Sequence, residues 1–172
     1  FSLSFEGHVP DVIRRAGKNS SEGVEFSMAQ WYPKMAEYDV DGWNADPYIG
    51  REFHGVWGNF DVKITLDKEY MVAGSGYLEN ASDIGMGYHK RKRAKTKKGK
   101  ITWHFVAPMV HDFTWAADKD YIHDTYPGPN DVTLHFFYKN DPDIISNWKK
   151  LQPDTAKICL LYTSDAADDL IG

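Results

Sequence analysis

The most regular alternation in the chain runs over residues 58–66, where Phe60, Val62, Ile64 and Leu66 are interleaved with Asp61, Lys63 and Thr65. Successive side chains of a strand point to opposite faces, so this pattern predicts a strand with one face buried. The same reading predicts strands over 72–78, after a turn near Asp67 and Lys68, and over 101–107, where Trp103 and Phe105 alternate with Thr102 and His104. Two more are predicted over 113–117 and 132–138. In the last, Val132, Leu134 and Phe136 face one way and Thr133, His135 and Phe137 the other. Residues 1–5 alternate as well, with Phe1, Leu3 and Phe5 on one side, and 23–31 reads as extended. Between these lie a polar, Gly-containing loop over 11–23 and a long irregular connection over 33–47, which carries Pro33, Gly42 and Pro47 among acidic residues. Gly74 and Gly76 fall inside a strand pattern, where glycine marks a bulge or a close approach of backbone.

Helical spacing occurs once, over 141–158, where Ile144, Ile145, Trp148 and Leu151 recur every three or four positions. Asp141 or Asp143 suits its N-terminal end, and Pro153 is expected to interrupt it. Many short strands between turns predict an all-β fold, a β-sandwich or saddle of antiparallel sheets, with a short helix near the C-terminus. The expected organisation is a β-domain over 1–140, a linker or helix over 141–158 and a tail over 159–172.

Composition narrows the partners. The chain has 172 residues, 42% of them hydrophobic and 15% aromatic, enough for one domain with a core. A formal net charge of −5 gives no general attraction to nucleic acid or to an anionic membrane. No stretch approaches the ~20 apolar residues of a membrane-spanning helix. Cys159 is the single cysteine, so an intrachain disulfide is impossible. Lys90, Arg91, Lys92, Arg93, Lys95, Lys97, Lys98 and Lys100 form a basic run between two predicted strands. No aromatic residue interleaves it, so a solvated hairpin tip is favoured over a nucleic-acid or heparin patch.

Motifs for catalysis are missing from this sequence. The histidines are His8, His54, His89, His104, His111, His123 and His135, and none belongs to an HExxH pair. Strand and loop histidines account for them better than a zinc site does. No GxSxG elbow or phosphate loop is present. Asp39 and Asp41 lack the Gly and terminal Glu of an EF-hand loop and read as a solvated loop.

Three segments together carry a resemblance: Phe26-Ser-Met-Ala-Gln-Trp-Tyr-Pro-Lys-Met35, Phe53-His-Gly-Val-Trp-Gly-Asn-Phe-Asp-Val-Lys-Ile-Thr-Leu66 and His111-Asp-Phe-Thr-Trp-Ala-Ala-Asp118. In order and spacing they resemble the N-terminal β-domain of aminopeptidase N-like zinc metallopeptidases (gluzincins), in a bacterial branch with a Gln-Trp-Tyr-Pro-Lys variant. The resemblance spans most of residues 1–158. It implies a non-catalytic domain that packs on a catalytic domain of the same chain, with the zinc, HExxH and the exopeptidase motif in that second domain. The segment 147–153 is similar to the entry into it. Gln30 matches the family's glutamine that binds near the amino terminus of the peptide substrate. The family's usual Thr-Gln-Phe-Glu is Ala-Gln-Trp-Tyr here, which alters the shape of that pocket. Segment 159–169 resembles a translated sequencing adapter, so native sequence is expected to end near Lys157 or Ile158 and to begin upstream of Phe1. The competing reading is an autonomous carbohydrate- or protein-binding β-sandwich, with Trp31, Trp43 and Trp57 as stacking residues.

Overall fold

A computed structural model of the chain describes residues 1–11, 14–45, 47, 55–90 and 96–168. Among these, eleven strands and two helices follow in the order β1 (Ala16–Lys18), β2 (Phe26–Met28), β3 (Glu37–Asp39), β4 (Gly42–Asn44), β5 (Gly58–Asp67), β6 (Met71–Gly74), β7 (Tyr77–Leu78), α1 (Ala81–Ile84), β8 (Lys100–Val110), β9 (Trp115–Asp118), β10 (Tyr121–Pro127), β11 (Thr133–Lys139) and α2 (Pro142–Asp168). Every strand pairing is antiparallel. The sheets have the orders β1-β2-β9-β6 and β5-β8-β7, with β3-β4 and β10-β11 as separate hairpins. The fold is all-β with a C-terminal helix, as the alternation predicts.

The period-two pattern explains the core directly. In β8 the residues Ile101, Trp103, Phe105 and Ala107 are all buried, while Thr102 between the first two is exposed. They pair with β5 in a register that sets Ile64 opposite Trp103 and Val62 opposite Phe105. Val72 of β6, Ala117 of β9 and Phe113 join the same cluster, so the core lies between the three- and four-stranded sheets. Fully burying each large side chain here contributes about 1.5–3 kcal/mol relative to exposure.

The pattern over 72–78 is two strands in different sheets. β6 pairs with β9 and β7 with β8, and the chain switches sheets at Ser75 and Gly76. A Cβ on Gly76 would lie 2.3 Å from the Val106 carbonyl oxygen, and its φ is +77°. Only glycine allows both the turn and the approach. The expected irregular stretch 33–47 contains the β3–β4 hairpin, whose turn is fixed by the Asp39 carboxylate accepting from the Asp41 amide (2.8 Å) and the Asn44 side chain (2.9 Å). Residues 1–5, expected as a strand, form no strand among the described residues and leave Phe1, Leu3 and Phe5 exposed. Alternation alone offers no backbone partner, and an unpaired strand is unstable in water. Of the basic run, residues 91–95 lie outside the described residues; Lys97 and Lys100 close a tight turn over Lys98 and Gly99, both with positive φ.

Helix α2 begins as expected, with Asp141 Oδ1 accepting from the Asp143 amide at 2.9 Å and Pro142 in the first turn. The expected interruption at Pro153 does not occur: Pro153 lies inside one continuous helix. Proline removes a single donor, the one that would reach the Lys149 carbonyl. Thr155 Oγ1 donates to the Leu151 carbonyl at 3.0 Å across the same turn, and Ala, Lys and Leu downstream are strong helix formers. The first half of α2 packs on the β10–β11 hairpin, where Trp148 stacks on Tyr138 at 5.4 Å and Gln152 Nε2 donates to Asp124 at 3.3 Å. Ile158, Leu160 and Leu161 are exposed. Deleting residues 159–172 is therefore expected to change stability by no more than about 0.5 kcal/mol, with the urea midpoint as the measurement. A core role for the tail would instead show as a large drop in that midpoint.

Candidate functional site around Gln30 and Asp112

Gln30 sits where strand β2 leaves the four-stranded sheet. Pairing with β9 stops at Met28 opposite Trp115, and two residues later Gln30 adopts φ +56°. The left-handed region costs a non-glycine residue on the order of 1 kcal/mol, so the surroundings must hold it there. They do so through Asp112. Gln30 Nε2 donates to Asp112 Oδ2 at 2.6 Å. Tyr32 Oη donates to Asp112 Oδ1 at 3.1 Å and the Phe113 amide to the same oxygen at 2.7 Å. Lys34 Nζ lies 3.2 Å from Oδ1.

The side chains of Gln30, Tyr32 and Lys34 all reach Asp112. All three are donors, and one carboxylate receives them. Between them Trp31 meets the Tyr32 ring edge-on at 5.2 Å, with its Nε1 donating to the Phe113 carbonyl at 3.1 Å and its ring edge-on to Trp115 at 6.3 Å. Burial and the Asp112 carboxylate both raise the Tyr32 hydroxyl pKa, which keeps this donor protonated at any physiological pH.

The third side of the site comes from the 55–60 region. Trp57 stacks flat on His111 at 4.6 Å and 11°, and Phe60 meets Tyr32 edge-on at 5.8 Å. A Cβ on Gly55 would lie 2.5 Å from the His111 carbonyl oxygen, so the chain passes here only as glycine. Phe53 and His54 of the same segment lie outside the described residues. The three segments that carry the family resemblance thus meet around Asp112 and Phe113.

Chemically, the arrangement fixes an amide. A carboxylate only accepts, so the nitrogen of Gln30 must face Asp112. No described residue donates to Gln30 Oε1, which leaves that oxygen and the second Nε2 hydrogen for a ligand. Lys34 and Asp112 offset each other, so the half-buried amide offers dipoles and no net charge. The partner of Gln30 is a side-chain carboxylate rather than the backbone groups that a strand-end glutamine would satisfy. Asp112 lies in the third segment of the resemblance, but nothing in the sequence marks it as the acceptor for Gln30, Tyr32 and Lys34.

The histidines are distributed. His104 Nε2 lies 3.0 Å from Asp61, His111 stacks on Trp57, and His123 meets His135. Among the described residues no group of three His, Cys, Asp or Glu side chains could hold a metal ion. A separate polar cleft of about 300 Å³ is lined by Asn19, Glu25, Asp118, Lys119 and Lys139. There the buried Asp118 accepts from Lys139 Nζ (2.7 Å) and from the amides of Asp120 and Glu25. Burial opposes its charge, but these donors prevail and hold its pKa below the ordinary carboxylate value. This is a structural ion pair that ties β11 to β9. Compared with known proteins, the chain matches no family model, no curated protein and no solved structure.

Proposed function

We propose that this chain is the non-catalytic N-terminal β-domain of a zinc aminopeptidase of the aminopeptidase N-like kind, which lies against a catalytic domain and offers Gln30 to the amino terminus of a bound peptide. The observation that supports this reading is the Gln30 amide, held at φ +56° with its nitrogen committed to Asp112. A carbonyl oxygen fixed in this way accepts from an ammonium without reorganising. Met35, Val56, Trp57 and Met109, which flank the site along the chain, are exposed and would be covered by a packed domain.

The decisive experiment is to recover the contiguous reading frame from the source genome. A GGMEN-like motif and HExxH shortly downstream support the proposal. A stop codon near residue 158 favours the alternative, a free-standing carbohydrate- or protein-binding module. Exposure of Trp43 and Trp57 speaks for that alternative. Trp31 speaks against it, because its indole is engaged with Phe113 and Trp115.

The reading also makes a claim about the purified chain. It should bind no stoichiometric zinc and release no amino acids from peptides, since a hydrolytic zinc needs about three protein ligands and a positioned water. Zinc-dependent release that is lost on mutating one of its histidines would overturn the proposal.

A further inference from the structure

Among the described residues the β10–β11 hairpin shares no ladder with the other sheets. One of its faces carries α2. On the other, His123 and His135 sit diagonally across the two strands, because the register sets His123 opposite Phe137 and Thr125 opposite His135. Their rings meet, with His123 Nε2 2.8 Å from His135 Nδ1. His123 Nδ1 lies 3.2 Å from the Met86 carbonyl oxygen. A carbonyl only accepts, so His123 carries its proton on Nδ1 and its lone pair on Nε2. His135 Nδ1 must then donate. The result is a directed chain, His135 to His123 to the Met86 carbonyl, with His135 Nε2 as its open end.

The backbone that receives this chain is the 85–88 turn. Gly85, Met86 and Gly87 all have positive φ, and a Cβ on Gly87 would lie 2.6 Å from His123 Nδ1. Tyr88 follows. Its ring covers His123 at 4.4 Å and His135 at 5.7 Å and meets the core Trp103 edge-on, and its hydroxyl donates to the Val72 carbonyl at 3.1 Å. The histidine pair is thereby the polar link between the hairpin and a turn that is rooted in the core.

We propose that His123 and His135 form a one-proton clamp, which fastens the β10–β11 hairpin to the 85–88 turn at neutral pH and releases it on acidification. The proton count follows from the geometry. One proton enters at His135 Nε2 and both hydrogen bonds survive. A second would have to enter at His123 Nε2, whose lone pair already accepts from His135. Two N–H groups would then face each other between two imidazolium rings, and the contact must break.

Among the described residues no carboxylate is turned to the histidine pair to compensate that second charge. The 85–88 turn contributes a carbonyl and the neutral Tyr88, whose pKa burial raises. β8 contributes Trp103, and the hairpin itself Phe137 and Tyr121. The carboxylate that acts on His123 is Asp124, and it is turned to α2, where it accepts from Tyr138 and Gln152. Burial lowers both histidine pKa values from the ordinary 6.5. A depressed folded-state pKa means that the opened hairpin binds protons first. The clamp is therefore at full strength above pH 6.5 and weakens as pH falls below that value.

The test is hydrogen exchange of the hairpin amides, corrected for intrinsic rates, with the β5–β8 amides of the same molecule as reference. From about pH 7.5 to about pH 5.5, protection of the hairpin should fall on the order of tenfold more than protection of the reference, as expected for roughly one excess proton in the open state. The pair His123→Asn/His135→Asn keeps amide donors and removes titration, and should abolish that difference. Equal pH dependence of hairpin and reference in the wild type would overturn the clamp. Should the double variant not fold, a nitrogen-15 titration of the wild-type imidazoles decides. A second protonation that coincides with loss of hairpin protection supports the clamp, and two protonations with the hairpin intact refute it.

Discussion

Replacing Phe113 with alanine should remove about 3–5 kcal/mol of folding stability, the range for deleting a buried aromatic ring. Phe113 is fully buried and packs between Phe105 at 6.0 Å and Phe60 at 6.3 Å, so its ring joins the faces of β8 and β5. Both neighbours belong to paired strands and cannot collapse far into the space left behind. A domain of this size has only about 5–15 kcal/mol in total, so the variant would lose a large part of its stability. Urea unfolding measures this as a lower midpoint at unchanged slope, because the surface exposed on unfolding is nearly the same. Phe113→Leu retains most of the buried volume and should lose distinctly less. If alanine lost under about 1 kcal/mol, the assignment of Phe113 to the centre of the core would be wrong.

On the proposed function, the second large effect is expected at Gln30, in a full-length enzyme reconstructed from the contiguous reading frame. If the Gln30 carbonyl accepts from the substrate's ammonium, Gln30→Ala removes a hydrogen bond to a charged group, about 1.5–3 kcal/mol. At about 1.4 kcal/mol per tenfold, kcat/KM should fall ten- to a hundredfold. Alanine also loses the bond to Asp112 while the backbone stays at φ +56°, so some stability goes with it. Gln30→Gly separates the two roles, because glycine adopts that φ without strain. A binding role predicts the same kinetic loss for both variants, with glycine the more stable of the two. A purely structural role predicts normal kinetics for the folded fraction of each and melting temperatures that differ. Unchanged kcat/KM across several aminoacyl substrates would eliminate the binding role.

What could be read from the sequence divides along physical lines. Strands β5, β8 and β11 lie close to their expected places because their alternation is set by burial, which acts on each residue separately. Strand β10 was not visible, since Tyr121–Pro127 has no clean period two: it is covered on both faces, by α2 and by Tyr88. Residues 1–5 alternate without finding a strand partner among the described residues, because pairing is a property of two segments and pattern a property of one. The site divides in the same way. Gln30 could be selected by resemblance, and Tyr32 and Lys34 lie in the same segment of it. Asp112 as their acceptor required the register of β2 on β9. The contact of His123 with His135 likewise required the register of their hairpin.

The Gln30–Asp112 bond spans 82 residues, and Tyr32 reaches the same carboxylate across 80. Chain segments so far apart meet only after the entropy of closing a long loop has been lost, and topologies of this kind fold slowly. The local hairpins β3–β4 and β10–β11 need no such closure. The amide of Gln30 therefore acquires its orientation late in folding, after the sheets that carry it have come together. A nascent or clipped chain lacking residues 111–115 would hold the Gln-Trp-Tyr-Pro-Lys segment without the carboxylate that orients it.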